Sequence, residues 1–129
     1  MSDAMWLLCL CAGRVCFSTI FVAYSASLAL LKADWAMTAG QAGLIQSAFH
    51  IGTVVSLFSI GFLTDRFGAK RTFLSASVAA SLSALLFGSL SADFSSALLR
   101  YGVAGLCSGG SYTPGLTLIA ERFPAARRG

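Results

Sequence analysis

Residues 42–71 read AGLIQSAFHIGTVVSLFSIGFLTDRFGAKR. The first 22 of them, up to Leu63, hold no Asp, Glu, Lys or Arg, and the next eight hold four such residues. At 1.5 Å per residue, 22 helical residues reach about 33 Å, enough to cross roughly 30 Å of hydrocarbon. The stretch therefore predicts a membrane-spanning helix that stops at a charged turn. Working outward, three more apolar stretches lie at 5–31, 72–90 and 97–120, and the four together take 92 of the 129 residues. Charged residues make up 11% of the chain, against about 25% in a soluble domain, and twelve of the fourteen fall outside the four stretches. The fold class that follows is all-α: a polytopic integral membrane protein with four transmembrane helices and no room in this length for a soluble domain.

Several function classes fall away. A formal charge of +4 would suggest nucleic acid if the basic residues shared a folded face, but they sit in short segments between spans. Cys9, Cys11, Cys16 and Cys107 lie within apolar stretches and read as small buried thiols rather than a disulfide framework. With one His, no Cys-x-x-Cys pair and no carboxylate inside a span, no metal site and no cofactor are expected. A cleaved leader is not expected either, because the start holds Asp3 instead of a basic segment and Arg14 interrupts the apolar run.

Basic residues set the expected threading. Between the stretches, Lys32 alone lies before the second; Arg66, Lys70 and Arg71 follow it; residues 91–96 have none; and Arg122, Arg127 and Arg128 close the chain. Six against one places the turn at 64–71 and the C-terminal tail in the cytoplasm, and four spans then put the N-terminus there too, in the cell membrane. Trp35, Phe94 and Tyr101 would mark the outer interface, and Trp6, Phe67 and Phe123 the inner one. Small residues at spacing four, namely Ser75, Ala79 and Ser83, the adjacent Ala76, Ala80, Ala84 and Gly88, and Gly105 with Gly109, predict close helix packing.

The turn at 61–71, GFLTDRFGAKR, carries the functional reading. Asp65 ends one helix, Gly68 can take the positive φ that reverses the chain, and Lys70 and Arg71 open the next helix. An acid at a helix C-terminus and bases at an N-terminus both oppose the backbone dipoles, so something beyond these two helices should compensate them. The run resembles the signature between the second and third helices of the major facilitator superfamily, G-x-L-a-D-r-x-G-r-K: Gly61, Leu63, Asp65, Arg66, Gly68 and Lys70 match, and Ala69 stands where a basic residue is frequent. A second resemblance runs from Arg100 through GLCSGGSYTPG at 105–115 to Glu121, Phe123 and Pro124.

The resemblance implies a twelve-span transporter built from inverted three-helix repeats and working by alternating access, of which 129 residues would supply the N-terminal third. It also implies that Asp65 engages the opposite half of the molecule in the outward-facing state, with Arg66 and Lys70 holding the turn, and that the first and fourth helices line the solute cavity.

Arg100 either snorkels to the interface or heads a stripe with Ala104, Cys107 and Ser111 that would attract an anionic solute. Arg14 either snorkels or lies buried near Ser18, Tyr24 and Ser25. Gln46, His50 and Thr53 share one helix face, for interhelical hydrogen bonding or for titration in the transport path. Pro114 beside Gly115 should bend the inner third of the fourth span. The lipid bilayer, a small solute and the remaining helices of the transporter are the expected partners. Rival readings are a complete four-span multidrug exporter acting as a dimer, which would need a carboxylate in the first span, an intramembrane enzyme, which would need converging catalytic groups, and a structural four-span protein. The chain has no acid in any span, and the 61–71 signature favours transport.

Overall fold

A computed structural model describes residues 2–123; Pro124, Arg127, Arg128 and Gly129, which entered the expected exit and tail, lie outside them. The chain runs through α1 (Asp3–Asp34), α2 (Ala39–Phe67), α3 (Ala69–Leu90), α4 (Phe94–Ser108), a 3₁₀ turn (Gly109–Ser111) and α5 (Thr113–Arg122), and the described residues hold no strand. With 32, 29 and 22 residues, α1, α2 and α3 are each long and apolar enough to cross a membrane.

Local chemistry sets the helix ends. Thr38 accepts the Gln41 N–H at 3.2 Å while the Gln41 side chain accepts the Thr38 N–H at 2.9 Å, a capping box that starts α2. Asp93 and Ser96 repeat the device at α4, where the Ser96 N–H donates to Asp93 Oδ1 at 2.8 Å. Ser96, through its hydroxyl and its backbone N–H, holds the Asp93 carboxyl below the ordinary carboxylate range, and the Arg100 charge adds to this. Between α2 and α3 a single residue, Gly68 at φ 85° and ψ 147°, turns the chain, and the Thr72 hydroxyl donates to the Gly68 carbonyl at 3.0 Å to close the junction.

The fourth span departs from expectation: it is two helices, and the break precedes Pro114. Proline lacks an N–H, and its ring clashes with the carbonyl four residues back, here that of Gly110. The backbone tightens through Gly109–Ser111, and Pro114 then sits in the first turn of α5, where a missing donor has no intrahelical role. The break at Gly109–Ser111, rather than Pro114 and Gly115, is the irregular point; those two are buried in regular helix.

Glycines let α2 and α4 meet backbone to backbone. A Cβ on Gly52 would lie 2.4 Å from the Gly102 carbonyl oxygen, and one on Gly105 would lie 2.1 Å from that of Phe49. The Thr53 hydroxyl uses this closeness to reach the Gly105 carbonyl at 3.2 Å. On the other side of α4, Ala80 and Ser83 of α3 are buried, and Ser83 contacts Cys107 Sγ at 3.5 Å.

Where the helices converge, Tyr101 packs on Phe49, Phe87 and Tyr24 with ring centroids 4.7, 4.8 and 4.9 Å away. Tyr101 is 1% exposed, so it is a core residue instead of an interface anchor. Its ring fills the gap between helices, and its hydroxyl donates to the Phe21 carbonyl at 3.3 Å. Of α1, only Phe17 and Tyr24 are buried, which leaves Cys9, Cys11 and Cys16 on exposed faces instead of inside. The outer surface is apolar, with Phe58 85% and Leu30 and Leu99 71% exposed, as suits a molecule whose solvent is lipid.

Candidate functional site

The first element is the turn between α2 and α3. Asp65 and Arg66 lie in the last turn of α2, Gly68 reverses the chain, and Lys70 opens α3. All four are exposed, while Gly61, about one turn before Asp65, is half-buried. The Arg66 guanidinium stands 5.7 Å from the Phe67 ring. Among the described residues Asp65 forms no ion pair, the one such pair being Asp3 with Arg122. An exposed carboxylate therefore stands at the negative end of the α2 dipole with no compensation from its own helices.

The second element is a cavity of about 430 Å³ walled by α1, α2 and the break in the fourth span. α1 contributes Arg14, Phe17, Ser18 and Phe21; α2 contributes Phe49, His50 and Thr53; Ser108, Gly109 and Tyr112 come from the break. Arg14 Nη1 donates to Ser111 Oγ at 3.2 Å across 97 residues of chain, and the guanidinium stands 5.7 Å from the Tyr112 ring. His50 meets Phe21 edge-on with centroids 5.4 Å apart. Gln46 Nε2 lies 3.4 Å from His50 Nε2. The Gln46 Oε1 is buried without a partner.

The expected residues divide into groups. Arg14 and His50 line this cavity, and Ser111, outside its lining, joins them through its bond to Arg14. Thr53 lines it but spends its hydroxyl on the Phe49 and Gly105 carbonyls. Gln46 stands behind His50 beside a separate cleft that it shares with Tyr24. Tyr24 is 2% exposed, donates to the Ala42 carbonyl at 2.9 Å, and belongs to the aromatic core. Arg100 is not among the residues that line the cavity. Its guanidinium donates to the Leu90 carbonyl, at the end of α3 where carbonyls lack helical partners and the dipole is negative. The stripe of Arg100, Cys107 and Ser111 also divides: Cys107 faces Ser83 on α3 and Ser111 faces Arg14 on α1, because the 3₁₀ turn changes the angular step per residue.

Two features escaped the sequence reading. Gly52 is the α2 half of the backbone contact. Asp3 pairs with Arg122 at 2.9 Å, Arg122 stands 4.9 Å from the Trp6 ring, and Trp6 meets Phe123 with centroids 6.2 Å apart, so one end of α1 is fastened to the end of α5. No spacing rule links residues 119 positions apart.

The chain is 32% identical over 105 residues to the arabinose-proton symporter of Bacillus subtilis, covering 81% of this chain and 22% of the relative. It is 33% identical over 99 residues to a niacin transporter of Acinetobacter baylyi, covering 77% and 22%, and 37% identical over 79 residues to solute carrier family 22 member 1 of Bos taurus, covering 60% and 14%. The chain thus spans about a fifth or less of the length of these relatives. No solved structure matches it. The family model of the Major Facilitator Superfamily matches residues 8–129, and this protein, an integral membrane chain of apolar helices, belongs to that superfamily.

Proposed function

We propose that the chain forms the first four spans of a secondary transporter that carries a small solute across the cell membrane by alternating access. The observation that carries this reading is the uncompensated Asp65 at the α2–α3 turn, a charge placed for a partner outside the four spans. Relatives named for transport of arabinose, of niacin and, in Cupriavidus pinatubonensis, of 4-methylmuconolactone support transport rather than catalysis as its role. The cavity beside Arg14 is the solute site in this reading. Gln46, His50 and Ser111 support its walls, and the Gly109–Ser111 break, with Pro114 and Gly115 behind it, is the candidate hinge.

The full-length protein in proteoliposomes is expected to take up at least one of arabinose, niacin and 4-methylmuconolactone saturably, and residues 1–129 alone are expected to take up none. Saturable uptake by the 129-residue chain would overturn the twelve-span reading in favour of a small dimeric exporter. The threading has its own check. In a background without native cysteines, single cysteines at Ser2, Ser91 and Gly129 are treated from outside with an impermeant thiol reagent. Labelling at Ser91 alone is expected, and labelling at Ser2 or Gly129 without Ser91 reverses the topology.

A further inference from the structure

We propose that the cavity between α1, α2 and the fourth-span break binds a small aromatic monocarboxylate, with Arg14 as the carboxylate-binding residue. The inference rests on the transport reading and deepens it by naming the class of solute. Charge is the first argument. Arg14 is the one Arg, Lys, Asp or Glu among the residues lining the cavity, and it has no acidic partner among the described residues. Arg14 is exposed, so its guanidinium can be reached by a solute, and with no acid beside it the cation favours a carboxylate. One cation neutralises one carboxylate, whereas a dianion would leave one charge unpaired.

Position is the second argument. Trp6, packed with Arg122 and near the Asp3 pair, marks a water-facing end of α1. Arg14 lies eight residues, about 12 Å, further along the helix. Its side chain crosses to Ser111 instead of running back toward that end, so it is not simply reaching for the interface. The serine takes one hydrogen bond, and a guanidinium has five N–H donors in a planar fork, which leaves a face for bidentate contact with a carboxylate.

The walls supply the third argument. Phe21, Phe49, Tyr112 and His50 give the cavity aromatic walls, with the Tyr112 ring 5.7 Å from the guanidinium, and flat rings pack on such surfaces in stacked or edge-on geometry. A sugar needs several side-chain acceptors, yet the cavity offers no carboxylate or amide, and Thr53 is already bonded to two carbonyls. An organic cation would meet Arg14 directly. A volume of about 430 Å³ falls in the range of small-molecule sites, about 300 to 1,000 Å³.

The test uses the full-length protein in proteoliposomes with radiolabelled benzoate as the probe and arabinose as a second solute. Benzoate is expected to enter saturably, with competition from unlabelled benzoate but not from benzamide or acetate. Arg14→Gln is expected to raise the half-saturating benzoate concentration by about 10- to 100-fold, and Arg14→Lys by less, since a point charge replaces the fork. Tyr112→Leu, which leaves the cation in place, is expected to lower the preference for benzoate over cyclohexanecarboxylate. Equal competition by benzamide and benzoate, or unchanged saturation in both Arg14→Gln and Tyr112→Leu, overturns the assignment. Saturable arabinose uptake untouched by benzoate also overturns it while leaving the transport reading in place. If none of benzoate, arabinose, niacin and 4-methylmuconolactone is taken up, both fall.

Discussion

Gly105→Leu is expected to leave no folded four-span unit. The Cβ alone would lie 2.1 Å from the Phe49 oxygen and 2.8 Å from the Phe49 carbonyl carbon. Both are backbone atoms, so no rotamer change relieves the clash and α2 must withdraw from α4 as a body. Withdrawal also breaks the bond from Thr53 to the Gly105 carbonyl and opens the aromatic core around Tyr101. Overpacking commonly costs about 1–3 kcal/mol where side chains can yield, and here at least about 3 kcal/mol is expected because none can. Gly43 supplies the control: it lies in α2 with nothing within 4 Å of an added Cβ, so Gly43→Ala should match or slightly exceed the parent, alanine being the better helix former by about 1 kcal/mol. Thermal unfolding of the two variants in detergent, followed by size-exclusion fluorescence, decides the matter. A Gly105→Leu protein that melts with the parent would mean that α2 and α4 do not touch through their backbones.

In the full-length protein Asp65→Asn is expected to slow transport about tenfold while solute binding stays within about twofold, the mark of a shifted conformational equilibrium rather than a damaged site. Within α2 and α3 the carboxylate is unfavourable, since it stands at the negative end of a helix dipole without an ion pair among the described residues. Asparagine keeps the volume and removes the charge, so these two helices should gain slightly while any contact to a distant cationic or helix-N-terminal partner is lost. Transport rates and solute affinity measured on the same preparation separate the cases. Equal loss of both would point to general damage, and no loss of either would return Asp65 to an ordinary surface acid.

The turn was legible because its physics is local. Four charges close an uncharged run of 22 residues, and a glycine stands where the chain must reverse, which it does at φ 85°. Packing partners were legible only in part. Gly52 reads no differently from Gly43 or Gly61 along α2, yet it alone of the three has backbone atoms of α4 against it; what distinguishes them is the rotation of one helix against another, which no single-helix periodicity contains. The same reason divides the stripe expected to run from Arg100 to Ser111. That stripe assumed 100° per residue through Ser111, and the tight turn at Gly109–Ser111 redirects Ser111 to α1. A proline signals that a helix will be interrupted, but the interruption settled on the two glycines upstream, where a Cβ on Gly109 or Gly110 would press on Ser56 or Ala76.

The ring cluster has a consequence for biogenesis. Tyr24, Phe49, Phe87 and Tyr101 come one from each span, and Tyr101, the member that touches the other three, is the last to be synthesised. Individual helices are stable in the bilayer before they associate, so the first three spans can enter it joined only by their own contacts, such as the Tyr24 bond to the Ala42 carbonyl and the Tyr24–Phe87 ring contact. The ring that ties all three together arrives with the fourth. Until Tyr101 has been translated and inserted, the polypeptide has no keystone, and the interval between insertion of the first and fourth spans is the period in which it is most open to membrane proteases and to pairing with the wrong neighbours.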